Sequence, residues 1–144
     1  MQVVIVGCGR MGAMMANSLS RRGESVIVID TNDKAFHYLT TEFGGFQLVG
    51  DATEIEVLKQ AKVEQADLIL VLTGDDNINL AVAQICRIYF GVPHTTARVF
   101  DPQRETIFEQ LGITTICPTK LASDYLLKEI NEIQEKLEAG EEEK

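Results

Sequence analysis

Residues 3–30 read VVIVGCGRMGAMMANSLSRRGESVIVID. An apolar run gives way to glycines spaced Gly7-x-Gly9-x-x-Gly12, then to an amphipathic stretch, then to a second apolar run that stops on Asp30. The stretch from about Met11 reads as a helix ending in Arg21, Arg22 and Gly23, with cations on the negative helix end and a glycine free to turn left-handed. A strand, a glycine loop opening a helix, and an acid closing the next strand 18 residues beyond Gly12 make up the dinucleotide fingerprint. Gly7 permits the tight turn, Gly9 lets phosphate oxygens approach the backbone, Gly12 lets helix and strand pack closely, and amides at the helix start meet the phosphates. Asp30 suits both ribose hydroxyls and repels a 2′-phosphate, so NAD or an adenosine nucleotide fits better than NADP.

The rest of the chain repeats the same alternation. Short apolar runs rich in Val and Ile end near Gly7, Asp30, Gly50, Thr73, Asp101 and Pro118, separated by segments of helical length. Continuous hydrophobicity marks strands covered on both faces, and so a parallel sheet with right-handed crossovers. The expectation is an α/β, Rossmann-like, doubly wound domain over residues 1–119, with six parallel strands and helices on both faces. A C-terminal helix follows over 120–138, and then an acidic, frayed tail over 139–144. Thr53 and Glu56 are expected to form a capping box for the third helix, and Pro102 to open a later one. Residues 78–90, INLAVAQICRIYF, are apolar almost all round, which requires deep burial or a subunit contact. The last helix carries Leu121, Tyr125, Leu126, Ile130, Ile133 and Leu137 at helical spacing, after the sheet is complete. It needs something to lie against.

Composition narrows the function. A chain of 144 residues suffices for one domain but not for a nucleotide domain plus a full catalytic domain. With 45% hydrophobic residues, its longest apolar runs are still far short of the ~20 residues that span a bilayer. Without a leader segment at the start, the expectation is a soluble, cytoplasmic protein. Three cysteines, Cys8, Cys86 and Cys117, form no CxxC pair and read as reduced thiols. The net charge of −9 includes −5 from residues 129–144 alone, and an acidic body with no basic stripe is a poor nucleic-acid ligand.

Further ligand groups are expected at the carboxyl ends of the other strands. Asp51 and Ala52 follow the third strand, where Thr53 serves equally as a helix cap. Thr73 and Gly74 close the fourth strand, and Asp75, Asp76 and Asn77 cap the next helix or join the site. Arg98, within the fifth strand, reads either as half of a buried ion pair or as a phosphate ligand. Arg10 faces the positive end of the first helix, which favours an anion beside it, although a solvated arginine would cost little. Cys8 is either a small residue filling the loop or a redox-active thiol near a helix start. The full candidate binding set is Gly7, Cys8, Gly9, Arg10, Met11, Gly12, Asp30, Thr31, Asp51, Ala52, Thr73, Gly74 and Arg98.

A dehydrogenase would also need a general acid or base and a substrate pocket. His37, expected in the second helix, and His94, in the loop before strand five, pair with no acid in a recognisable motif. No metal-ligand spacing, Walker loop or nucleophile elbow occurs. The nucleotide therefore reads as a signal, with a small NAD-dependent oxidoreductase, or its cofactor half, as the rival.

Jointly, MQVVIVGCGRMG with Asp30, GDAT at 50–53, T-x-x-D-x-x-N at Thr73, Asp76 and Asn79, ARVFDP at 97–102 and LGITTICPT at 111–119 are more specific. They resemble the nucleotide-binding lobe of the regulators of potassium conductance, the Trk and Ktr type of potassium-uptake subunit. That resemblance implies a cytosolic, non-enzymatic gating protein that binds NAD(H), ATP or ADP. It implies a homodimer or larger ring, set at the inner face of the membrane against an integral-membrane potassium-translocating partner. By position, Gly7, Gly9 and Gly12 would hold phosphates, Asp30 the ribose, Asp51 and Ala52 the adenine side, and Arg98 a phosphate. Arg10 would reach the terminal phosphate of ATP in a neighbouring subunit, and the last helix would be the crossover helix that packs on a partner. Members commonly continue into a smaller carboxyl-terminal lobe. This sequence stops short of it, leaving a naturally short subunit, a separate chain that carries the lobe, or a trimmed one.

Overall fold

A computed structural model describes residues 1–140. Six strands, β1 (Gln2–Val6), β2 (Ser25–Asp30), β3 (Phe46–Val49), β4 (Leu68–Val71), β5 (His94–Arg98) and β6 (Thr114–Ile116), form one sheet. Every pairing is parallel, in the order β3-β2-β1-β4-β5-β6. This is the expected doubly wound, Rossmann-like sheet. β1 lies at its centre, with Ile5 opposite Val28 of β2 and Leu70 of β4, and Val3 to Val6 are buried. Apolar side chains pack on both faces. One face carries Val57 and Leu58 of α2 (Ile55–Gln60), Val82 of α3 (Asp76–Gln84) and Phe108 of α4 (Glu105–Gln110). The other carries Ala13, Ala16 and Leu19 of α1 (Arg10–Arg21) and Phe36.

Two local expectations are corrected. The segment between β2 and β3, expected as the second helix, forms only a 3-10 turn over Asp33–Tyr38. Side chains of α1 take backbone groups that an α-helix would pair internally. Asn17 accepts from the Thr40 amide and donates to the Tyr38 carbonyl, and Ser20 accepts from the Gly44 amide. The Thr53–Glu56 capping box does not form either. The Thr53 hydroxyl and amide both donate to Asp51 Oδ1, at 2.7 and 2.9 Å, and α2 begins after Glu54 with no side-chain cap. A carboxylate two residues upstream outcompetes the helix terminus for the threonine.

Deep burial holds for one face of residues 78–90 only. Asn79, Val82, Ala83 and Cys86 are buried, while Ile88 and Tyr89, in the π turn Ile85–Tyr89 that extends α3, are exposed. The final helix, α5 (Pro118–Glu138), leaves the domain: every residue from Thr119 to Glu138 is exposed. Of the expected tail over 139–144, residues 141–144 lie outside the described residues.

The approach of α1 to β1 depends on Gly12, where an added β-carbon would lie 1.8 Å from the Gly7 carbonyl oxygen. Alanine gains about 1 kcal/mol over glycine inside a helix, but a clash with fixed backbone costs about 1–3 kcal/mol or more. Gly12→Ala should therefore lower stability in urea denaturation. Gly9→Ala, with nothing within 4 Å of its added carbon, should stay within about 1 kcal/mol of the parent protein.

Candidate nucleotide site

The chain reverses its winding between β1 and β4, and at that switch point the carboxyl ends of the strands open a cleft of about 480 Å³. Ligands of open α/β sheets bind in this position. Nine of the thirteen candidate residues line it: Gly7, Gly9, Asp30, Thr31, Asp51, Ala52, Thr73, Gly74 and Arg98. The glycine loop turns at Gly7, whose φ of +100° lies in the left-handed region and whose added β-carbon would press on Leu72 and Thr73 at 2.9 Å. Gly9 then N-caps α1 with no side-chain cap and no acid in the first turn. The first amides of α1, those of Arg10, Met11 and Gly12, have no acceptor within the helix. They form a donor group at the positive end of the helix dipole.

Asp30 is fixed by two backbone amides. Its Oδ2 accepts from Cys8 at 2.8 Å and its Oδ1 from Asn32 at 2.9 Å. The acid that ends β2 therefore braces the glycine loop and still presents its remaining lone pairs to the cleft. On the β3 side, the two Thr53 bonds hold Asp51 below its ordinary carboxylate value. On the other side of the switch point, Arg98 Nη2 donates to the carbonyls of Leu72 and Thr73 at 2.7 and 2.9 Å, and its Cζ lies 4.7 Å from the centre of the Phe100 ring. The expected ion pair is absent among the described residues. Carbonyl dipoles and an aromatic face hold the guanidinium instead. Burial lowers its pKa, Asp76 works in the opposite direction, and an arginine stays protonated at neutral pH.

Four candidates stand outside the lining. Cys8 is fully buried and its amide is engaged with Asp30. Met11 packs on the core beneath α1, and Gly12 sits against Gly7. Arg10 lies on the outer surface of α1 with Met14, Asn17, Arg21 and Tyr38. Burial removes the basis for Cys8 as a redox sensor, which required an exposed thiol.

Reading the sequence as a pattern of apolar faces missed Asn79, Leu72 and Ile78. Ile78 and Leu72 line the cleft. Asn79, fully buried, donates from Nδ2 to the carbonyls of Thr73 and Arg98, while its Oδ1 accepts from the Thr73 amide and hydroxyl. One amide side chain thus ties the end of β4 to the end of β5. Three residues earlier on α3, Asp76 accepts from the amides of Phe100 and Asp101 at 2.8 and 3.2 Å and holds the loop after β5. The T-x-x-D-x-x-N spacing was the signal for both residues: three and six positions after Thr73, it sets them around the start of α3.

A parallel sheet of this order, with a glycine loop at the switch point and an acid ending β2, defines a Rossmann-like nucleotide-binding domain. The chain belongs to the TrkA-N domain family, which it matches over residues 3–118. It is 34% identical over 130 residues to the Trk system potassium uptake protein TrkA of Streptomyces coelicolor, covering 90% of this chain and 58% of the relative. To the TrkA homologue of Methanothermobacter thermautotrophicus it is 34% identical over 129 residues, covering 89% of this chain and 59% of that protein. The chain thus spans somewhat over half the length of these relatives.

Three solved structures share the fold. The GsuK channel bound to NAD matches with a TM-score of 0.76 at 20% identity, over 87% of this chain and 23% of that one. GsuK bound to ADP gives 0.74 at 22%, over 87% and 33%. The AMP-bound carboxyl-terminal domain of Shewanella denitrificans Kef gives 0.78 at 19%, over 93% and 82%. The chain is therefore a TrkA-N domain similar to that of Trk potassium uptake proteins, and among its described residues no helix is long and apolar enough to cross a membrane.

The buried thiols carry a pH signature. Burial pushes Cys8 up from 9.0 to about 11, with Asp30 adding to the effect, and pushes Cys86 up to about 12. Above pH 9 the unfolded chain loses protons that the native chain keeps, so stability falls as pH rises from about 9 through 11–12. The urea midpoint should drop between pH 8 and pH 10.5, and a Cys8→Ala, Cys86→Ala double variant should show a shallower drop.

Proposed function

We propose that the cleft binds an adenosine nucleotide, NAD(H), ATP or ADP, as a regulatory ligand rather than a reagent. The chain would then be the nucleotide-sensing part of a cytoplasmic subunit that gates an integral-membrane potassium transporter from the inner face of the membrane. The observation that carries this reading is Asp30. It stands at the switch point beside the uncapped start of α1, braced by two amides and facing the cleft. The potassium-uptake relatives and the structures bound to NAD, ADP and AMP support it.

Phosphates would lie over Gly7, Gly9 and the free amides of α1, the ribose on Asp30, and adenine beside Asp51 and Ala52. Arg10, outside its own cleft, would serve a neighbouring subunit's nucleotide. The charged groups of the cleft favour a signal over a reagent. The Asp30 carboxylate is engaged by two backbone amides, Thr53 holds Asp51 below its ordinary carboxylate value, Arg98 stays protonated, and His94 begins β5 at the opposite end of the sheet. Asp30→Ala should weaken ATP, ADP and NAD together by about 1–3 kcal/mol in calorimetric titration, the scale of lost charge-assisted hydrogen bonds. Asp30→Asn, which keeps an acceptor for the loop, checks that the loss is not one of folding. Unchanged affinity in both would take Asp30 out of the site.

Assembly would run through α5. Leu121, Tyr125, Leu126, Ile130, Ile133 and Leu137 are each about half exposed or more along one helix, and a contiguous apolar surface of this kind is uncommon on a monomer. Covering each such side chain contributes up to roughly 1.5–3 kcal/mol. Every lining residue of the cleft precedes Thr119. A chain cut after Thr119 should therefore stay folded and bind nucleotide but associate more weakly in sedimentation. A monomeric full chain, or a shortened one that associates equally tightly, would refute the crossover-helix reading.

A further inference from the structure

The two halves of the cleft differ in charge. On the β2 side stands the carboxylate of Asp30, and on the β5 side the guanidinium of Arg98. Although Arg98 ends β5, its Nη2 donates to the carbonyls of Leu72 and Thr73, beyond the last residue of β4, so the positive charge sits over the carboxyl end of β4. It is rigidly held there, backed by the Phe100 ring at 4.7 Å. Its charge is only partly offset: no carboxylate lies within ion-pair distance among the described residues, and Asp76, whose carboxylate accepts from the amides of Phe100 and Asp101, acts on it only through space. Arg98 Nε is buried and has no acceptor among the described residues.

A dinucleotide that crosses a switch point puts one nucleoside on the β2 side and the other over β4 and β5. On the nucleotide-binding reading above, we propose that Arg98 makes this second half of the cleft selective against cations. It accepts the terminal phosphates of a nucleoside di- or triphosphate, or an uncharged dihydronicotinamide, and disfavours the cationic ring of oxidised NAD. NADH and NAD+ share the same diphosphate, riboses and adenine, so the charge of the ring is the main difference between them. At the effective dielectric of a partly buried site, like charges within about 10 Å repel enough to weaken binding roughly tenfold. Screening of such a pair is incomplete at low salt.

Calorimetric titration of the intact chain with NADH, NAD+ and ADP at low ionic strength tests this. NADH should bind about tenfold more tightly than NAD+. The ratio should move toward one in Arg98→Met and be retained in Arg98→Lys. If Arg98→Met fails to fold, salt decides: the ratio of the unaltered protein should shrink as ionic strength approaches about 1 M, where the screening length is about 3 Å. Equal affinities for NADH and NAD+, or a ratio that neither Arg98→Met nor salt changes, would overturn the assignment to Arg98 and leave the nucleotide site standing. Failure of all three ligands to bind would remove the nucleotide site itself, and this selectivity with it.

Discussion

The carbonyl oxygen of Gly7 occupies the space that a side chain at residue 12 would need, 1.8 Å from where its β-carbon would be. The rest of the domain is arranged around that contact. It brings the axis of α1 down onto β1, so that Ala13, Ala16 and Leu19 reach Val3, Ile5 and Val28. It also points the unpaired amides of the helix at the switch point of the sheet rather than past it. A larger residue would lift the helix, opening a gap in the core and turning the donor group away from the cleft. Stability and ligand geometry share one constraint here, as expected where a glycine serves close packing rather than a turn.

Where a residue's role depends on the chain immediately around it, the sequence was readable. Val3 to Val6 and Val26 to Ile29 are buried in a parallel sheet, and only continuous apolar runs satisfy that environment. Gly7, Gly12 and Asp30 occupy positions dictated by backbone geometry, so their spacing alone located the loop and the acid. Legibility failed where a distant side chain decided the outcome. Residues 33–38 have ordinary helical content, but Asn17 and Ser20, on α1 and 21–24 residues earlier than their partners, claim the following backbone. Asn79 was marked by the T-x-x-D-x-x-N spacing alone, since one polar residue within an apolar helix face gives no periodic signal, and its role comes from distant carbonyls, those of Thr73 and Arg98. The side chain of Cys8 was ambiguous because neighbouring positions in a tight loop point in opposite directions, into the core or into the cleft.

The polar groups of α3 connect the cleft to the far edge of the sheet. Asn79 joins Thr73 to Arg98, and Asp76 holds the amides of Phe100 and Asp101. Asp101 in turn caps the turn at Gln103, and Arg104 returns to Asn77 at 2.6 Å. Glu105, next along the chain, accepts from the Thr115 hydroxyl at 3.0 Å and lies 3.9 Å from Lys120. A continuous series of hydrogen bonds and short chain segments therefore runs from the residues lining the cleft to the base of α5.

α5 contains 21 residues and is rooted at Pro118, close to Glu105 and Thr115. At 1.5 Å per residue it is a rod about 31 Å long. A rod fixed at one end is a mechanical amplifier. A tilt of about 5° at Pro118, a displacement too small to register at the cleft, sweeps the far end through about 3 Å, which is the scale of a side-chain contact. The helix can therefore turn angular changes at the rim of the sheet into linear travel at a remote surface, with a gain set only by its length.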